Sequence, residues 1–457
     1  MDSINLDRLN KYVIDSKTTF EDFLGNLIEI PTVSMDPAHK KDMLKGAHLA
    51  SSFLTKIGAQ TEIVETPGHP LILGYLETDH NAPTITLYNH LDVQPAVPSE
   101  WENPPFQFMI KENNYYLGRG ATDDKGPAIT ALLAAKYAME ENIPLNIKFI
   151  WEMEEEIGSP NFEAAIKLKK QKLDTDSILV SDTIWISRQK PAIPHGLRGL
   201  MTATLTLTTG TQDTHSGLTG GAARNPIGEL CQLINRCYDP ISGKITINGF
   251  YDKVQNPSPE ELKEYENANL TVSQFKKTYG FKTLRSKDPS QLIQAIWCKP
   301  TFEVHCIVGG YMGEGIKTIV PYTAQAKIST RLVPNQNPKE IFQLLKNFVK
   351  RENPEVEVTL GATLNPYLTE FSGPYAKAAR ESLHKGFGLK PFFIREGGSI
   401  GSVVSMQNIW AVPIVLLGFS LPEHGYHAPN EYFDWFQAAG GIKTLVHYFH
   451  RVSQLQK

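Results

Sequence analysis

Two short stretches carry side chains that folding alone does not ask for. The first is Gly118-Arg119-Gly120-Ala121-Thr122-Asp123-Asp124-Lys125-Gly126, where adjacent acids sit between glycines and lead into an Ala/Leu-rich run. One carboxylate is enough to cap a helix, so the second is surplus to local structure. The other stretch is Tyr88-Asn89-His90-Leu91-Asp92, where a run rich in Thr, Ile and Leu ends in His-x-Asp. Residues i and i+2 of an extended backbone point to the same side, which sets His90 beside Asp92. A carboxylate often accepts the second imidazole N–H of a metal-binding histidine and so fixes its tautomer, a part that suits Asp92.

Further polar groups recur along the chain. Glu154-Glu155-Glu156 follows an apolar run ending at Trp151, and Asp182 follows Ser177-Ile178-Leu179-Val180. Near the C-terminus stands His424-Gly425-Tyr426-His427-Ala428-Pro429-Asn430-Glu431. Each has an ordinary reading by itself. A lone histidine at a strand end is usually a hydrogen-bonded core residue, a Glu run a solvated face, an Asp a helix cap. As a set, two histidines and three or four carboxylates without cysteine suit Zn, Mn or Co and can hold two ions. A carboxylate shared between two ions needs rigid placement, which the Asp123 loop is built to give.

Such groups need a scaffold, and the periodicities supply one. Apolar residues fall at helical spacings over 6–28, stopped by Pro31, and a second helix is expected near 40–57. Short strands are expected near 61–64 and 71–76, then buried ones at 84–90, 145–153 and 177–180. A helix runs from Pro127 to Met139, with its proline in the first turn. Strands alternating with helices predict a mixed, largely parallel α/β sheet, and the candidate ligands mostly lie at the C-terminal ends of its strands. From residue 200 the texture changes. Ala203, Leu205 and Leu207 alternate with threonines, a helix follows over 226–237, and a second alternating strand covers 324–332. Asn337-Pro338-Lys339-Glu340 opens another helix, and Val356 and Val358 close the unit. Read as strand, helix, two strands, helix, strand, the order is a split βαβ, an inserted α+β, ferredoxin-like domain over 200–365, with its 238–300 excursion unplaced. A strand over 409–417 returns the chain to the first domain. The expected division is therefore 1–199, 200–365 and 366–457.

Composition excludes several classes. At 457 residues the chain exceeds what one core usually serves. A net charge of −4 without a basic run argues against nucleic acid as a partner. Cys231, Cys237, Cys298 and Cys306 show no CxxC spacing, so reduced, mostly buried thiols are expected. The first residues read as an amphipathic helix, not a signal peptide, and no apolar run approaches the roughly 18 residues of a membrane span. A soluble, cytoplasmic protein without a membrane partner is expected.

In sequence order, His90-Leu91-Asp92, the Gly118–Gly126 stretch, Glu155-Glu156-Ile157-Gly158-Ser159, Ser181-Asp182, His215-Ser216-Gly217, Arg331-Leu332-Val333-Pro334 and His427-Ala428-Pro429-Asn430-Glu431 match a known pattern. The chain resembles the two-metal peptidases that include carnosinase, cytosolic non-specific dipeptidase, the aminoacylases and the desuccinylases. Gly118–Gly126 and Trp185-Ile186-Ser187 look most like the dipeptidase branch. The resemblance implies a phosphorylase/hydrolase-like catalytic domain with a lid that dimerises. It implies two divalent ions per chain, Zn first, bridged by Asp123 across a cis peptide to Asp124. His90 and Asp182 would complete one ion, Glu156 and His427 the other. Glu155 would be the general base acting on a metal-bridging water, and Asp92 would support His90. His215 would reach across a homodimer to the partner's site. Arg331 with Gly398 and Ser399 would hold the carboxylate of a small peptide substrate, with Thr318 a further candidate. Within the triple Glu, Ile157-Gly158-Ser159 sets the register; between His424 and His427, the Ala-Pro-Asn-Glu tail selects His427. Where His-Pro-His is looked for, this chain has Ser372-Gly373-Pro374-Tyr375. Asp182, where deacylases tend to carry Glu, favours dipeptide hydrolysis; an N-acyl-amino-acid deacylase is the alternative. An inactive metal-binding scaffold is a further reading, against which the intact Glu155 speaks.

Overall fold

The computed structural model describes residues 4–455. Its central sheet has six strands, in the order Gln60–Val64, Leu71–Leu76, Asn146–Glu152, Thr84–His90, Ser177–Val180 and Ile414–Leu416. The last four run parallel, and the first two form an antiparallel edge. The parallel strands are buried on both faces, which is why they read as nearly continuous apolar runs. On one face lies the helix Gly126–Glu140, buried on nearly every side, with Pro374–Phe387 and Trp435–Val452 packed about it. The helices Phe162–Leu168 and Gly401–Trp410 cover the other face.

Two local expectations change. The apolar pattern over 6–28 belongs to two helices, Leu6–Asp15 and Lys17–Ile28, which meet at Ser16. The strand expected over 409–417 shrinks to Ile414–Leu416. The preceding helix runs on to Trp410 and ends at Ala411, whose φ is 52°. Pro413 lacks an N–H and disfavours helix in the residue before it, so the sheet begins just after it.

A second, fully antiparallel sheet has the order Thr301–Gly309, Thr323–Leu332, Gly199–Thr208, Glu357–Leu364. The helices Pro226–Cys237 and Pro338–Glu352 cover one of its faces, around Leu205, Leu207, Leu230, Ile328 and Leu345. Thr202, Thr204, Thr206 and Thr208 line the other. This is the ferredoxin-like arrangement, with its own core.

The 238–300 excursion carries three helices, Pro259–Ala268, Val272–Tyr279 and Pro289–Trp297. Tyr265, Leu270, Ile293 and Trp297 pack with Ala192 and Ile394, not with the ferredoxin-like core. Ala192–Leu197 is the middle strand of a third sheet, between Tyr367–Leu368 and Phe392–Glu396. The excursion is pinned there by a buried ion pair, Arg395 Nε to Glu261 Oε1 at 2.8 Å. No helix among the described residues is long and apolar enough to cross a membrane.

Candidate metal centre

His90 closes one parallel strand, and Asp182 lies two residues beyond its neighbour. Glu155 and Glu156 form a short turn after the third strand, Asn146–Glu152. Side chains thus gather at the carboxyl ends of adjacent strands, where open α/β sheets bind ligands. Asp123 enters from the loop ahead of the helix Gly126–Glu140, and the Asp123–Asp124 peptide is cis. His427 enters from a turn in which its φ is 56°.

The rings and carboxylates meet at close range. His90 Nε2 lies 3.0 Å from Asp123 Oδ1 and 3.8 Å from Asp182 Oδ2. His427 Nε2 lies 3.1 Å from Asp123 Oδ2 and 3.3 Å from Glu156 Oε2. Asp123 therefore offers one oxygen to each ring. Donor atoms within 4.8 Å of one another form two groups, His90 with Asp124 and Asp182, and Asp123 with Glu156 and His427. Asp124 Oδ2, however, already accepts from Asn89 Nδ2 at 2.7 Å and from His90 N at 3.4 Å. Asp123 is the better placed of the two to be shared.

The donor set fits divalent cations. Five acids, Asp123, Asp124, Glu155, Glu156 and Asp182, gather about two imidazoles, more than the rings can balance, and of these seven groups His427 is the exposed one. Burial lifts the Glu155 carboxyl well above its ordinary range, and the charges of Asp182, Glu156 and Asp92 add to that. Burial first, then the charge of Asp123, raises Asp182 to about 7 and lifts Glu156. The Asp123 and Glu156 carboxylates hold His427 up at about 10. Burial opposes a charge on His90, yet Asp123 and Asp92 carry it well above its usual value. Oxygen and imidazole donors without sulfur suit Zn, Mn or Co.

A buried framework holds these groups. Glu431 Oε2 accepts from Arg119 Nη1 at 2.9 Å and Gly120 N at 2.8 Å; Oε1 accepts from Thr122 N at 2.8 Å and Asp123 N at 3.1 Å. One carboxylate thus clasps the whole Asp123 loop. Lys125 Nζ anchors that loop from the other side by donating to Leu27 O at 2.9 Å. Asp92 has a broader part than its spacing implied. His90 Nδ1 is nearer the Asp92 backbone oxygen, 3.0 Å, than its carboxylate, 3.5 Å. The carboxylate instead accepts from Glu155 N at 3.1 Å and Glu156 N at 3.0 Å, fixing the acidic turn. Gln94 donates to both oxygens of Glu156, from N at 3.1 Å and Nε2 at 2.7 Å. Glu154 points away and accepts from His69 N at 2.8 Å. His424 is fully buried between Thr122 Oγ1 at 2.9 Å and Asp434 Oδ2 at 3.2 Å, with no part in the cluster.

The remaining candidates form two groups. Arg331 Nη1 donates to Ser399 Oγ at 2.9 Å; Ser399 Oγ donates to Arg198 O, and Arg198 N to Gly398 O at 3.0 Å. His215 and Thr318 travel together elsewhere. Thr214–His215 pairs with Ile319–Val320, and Ser216 N donates to Thr318 O at 2.9 Å. His215 is exposed, its Nδ1 accepting from Gly217 N at 2.9 Å. Among the described residues no hydrogen bond or ion pair joins it to the metal cluster. Sequence reasoning assigned no role to Glu431 or Gln94. For Glu431 the one signal was its place in the His427–Glu431 motif, since a buried acid and a surface acid look alike in sequence.

Comparison with known proteins bears on this geometry. The model of peptidase family M20/M25/M40 matches residues 86–451. The Cys-Gly metallodipeptidase dug1 of Schizosaccharomyces pombe is 30% identical, covering 99% of each chain. The Beta-Ala-His dipeptidase of Rattus norvegicus is 29% identical, over 98% of this chain and 96% of that one. Among solved structures, human carnosine dipeptidase 1 superposes with a TM-score of 0.87 at 28% identity, covering 100% of both chains. The Saccharomyces cerevisiae di-peptidase Dug1p gives 0.89 at 26% identity, over 99% of both.

Proposed function

Because the chain belongs to peptidase family M20/M25/M40, we propose that it is a metal-dependent dipeptidase. The observation that carries this reading is Asp123, with one carboxylate oxygen against His90 and the other against His427. Full-length similarity to a Cys-Gly and a Beta-Ala-His dipeptidase supports dipeptides over N-acyl amino acids as substrates. In this reading His90 and Asp182 would hold one divalent ion and Glu156 and His427 a second, Asp123 would serve both, and Zn would be favoured with Mn or Co able to serve. Bound ions supply polarisation of the scissile carbonyl and make a water acidic enough to attack near neutral pH. Glu155 takes the proton from the attacking water and delivers it to the leaving amine. Asp92 keeps Glu155 in register through the backbone of the acidic turn. Arg331, with the Gly398-Ser399 turn, receives the substrate carboxylate.

The functional division is 1–199 with 366–457 as catalytic domain and 200–365 as lid. His215 and Thr318 lie on an exposed loop pair of that lid, beside Leu218, Met312 and Ile316, which are 86%, 75% and 93% exposed. Apolar side chains so exposed beside a histidine without a site of its own favour a homodimer, in which His215 completes the partner's centre. A cytoplasmic setting accords with four unpaired cysteines. The test is turnover of an unblocked dipeptide beside its N-acetyl form. Preference for the unblocked substrate is expected; preference for the blocked one would move the chain to the deacylases.

A further inference from the structure

Three residues ahead of His427 stands His424, outside both donor groups and completely buried. Both nitrogens of its ring are engaged. Leu421 N donates to Nδ1 at 3.2 Å, so that nitrogen carries no proton, and Thr122 Oγ1 lies 2.9 Å from it. The ring proton therefore sits on Nε2, which donates to Asp434 Oδ2 at 3.2 Å. Burial pushes the ring below the ordinary 6.5, in keeping with this neutral form. Tyr432 and Phe433 meet the ring edge to face, with centroids 4.9 and 5.5 Å away, and hold its plane.

Both ends of this chain of hydrogen bonds are anchored. Asp434 Oδ1 caps the helix Trp435–Val452 by accepting from Gln437 N at 2.9 Å. Its Oδ2 also accepts from Arg188 Nη2 at 2.7 Å, a charge-assisted bond on a buried carboxylate. At the other end, Thr122 is the residue before Asp123. Its hydroxyl donates to Ser420 Oγ at 2.8 Å, and Ser420 Oγ donates to Thr122 O at 3.0 Å. His424 itself ends the short turn Pro422–His424, from which the chain passes through Gly425 and Tyr426 to His427. One imidazole thus joins the loop of Asp123 to the turn of His427, whose Nε2 stands 3.1 Å from Asp123 Oδ2. Glu431 grips the same loop from beyond His427, and His424 grips it from before. His427 needs such bracing, because it is exposed and its own packing does little to fix it.

Resting on the dipeptidase reading, we propose that His424 is a positioning residue: through Thr122 it sets the distance between Asp123 and His427, and so the affinity for the divalent ion those two share with Glu156. It touches neither ligand. Its part is to keep two donors at a spacing that loosely held side chains lose.

Two substitutions separate the ends of the ring. Asparagine places an acceptor near the position of Nδ1 but does not reach Asp434, whereas glutamine places a donor near Nε2 and offers nothing to Thr122. Each gives up one buried contact, so similar falls in urea midpoint are expected. Equilibrium dialysis of metal-free protein against Zn or Mn then reads ions bound per chain and their affinity. His424→Asn is expected to bind the ion between Asp123 and His427 nearly as tightly as wild type, and His424→Gln about 10–100-fold less tightly, the cost of losing a ligand-supporting contact. Thr122→Val removes the hydroxyl at constant shape and leaves the ring in place. It should match His424→Gln, and combining the two should lose little more than either alone, as for groups acting through one contact. Equal affinities in the Asn and Gln variants, or losses that simply add in the double variant, overturn the assignment. Binding is read without turnover, so a chain that takes up two ions yet hydrolyses no dipeptide removes the dipeptidase reading alone. A wild type that takes up no ion removes both.

Discussion

At the scale of single residues, the site separates groups that do chemistry from groups that hold them. Glu155 lies outside the donor groups that surround the two histidines, so Glu155→Gln is expected to keep its metal. Turnover should fall by roughly 10²–10⁴, the usual cost of losing a general base. Metal analysis and kcat on the same preparation check both halves. Glu431 is of the other kind. It touches neither ring, yet four donors of the Asp123 loop end on it, one of them the backbone N of Asp123 itself. Glu431→Gln leaves Arg119 without its counter-charge and is expected to weaken metal binding by roughly 10–100-fold, as loss of ligand-supporting contacts does. Equilibrium dialysis reads this without recourse to activity. Unchanged affinity would limit Glu431 to a structural part.

At the scale of elements, what was legible depended on periodicity and on distance along the chain. The parallel strands announced themselves through runs such as Ile178-Leu179-Val180, buried on both faces. Their carboxyl ends then located His90, Glu155 and Asp182. Ala192–Leu197 gave no such signal, because Pro194 and Gly196 both count against a strand. The excursion stayed opaque for another reason. The apolar residues of its helices serve a small core shared with Ala192 and Ile394, and its anchor joins residues 134 apart. Glu261→Ala would leave Arg395 as a buried charge without a partner, which costs about 3–5 kcal/mol. A shift in the urea midpoint measures it. The Glu261 carboxyl is opposed by burial but held by Arg395 below its ordinary 4.5. Its stabilising share is thus full above that value and fades as pH falls through the lowered one. The gap between wild type and variant should narrow well below pH 4.5.

At the scale of the whole molecule, two cores divide the work. The parallel sheet presents the metal centre, and the ferredoxin-like sheet carries His215 on an exposed loop pair. Mixing His215→Ala with Glu155→Gln under subunit exchange should restore activity, because one site of each hybrid then has both groups. No recovery despite proven exchange would confine His215 to its own chain or to no role. Nearest to the centre of the matter is a titration of metal-free protein with Zn, Mn or Co, with metal content and unblocked-dipeptide turnover read on the same samples. Turnover should be absent without metal and level off as the second ion per chain is taken up. Undiminished turnover after every ion has been removed would contradict a dipeptidase built on Asp123.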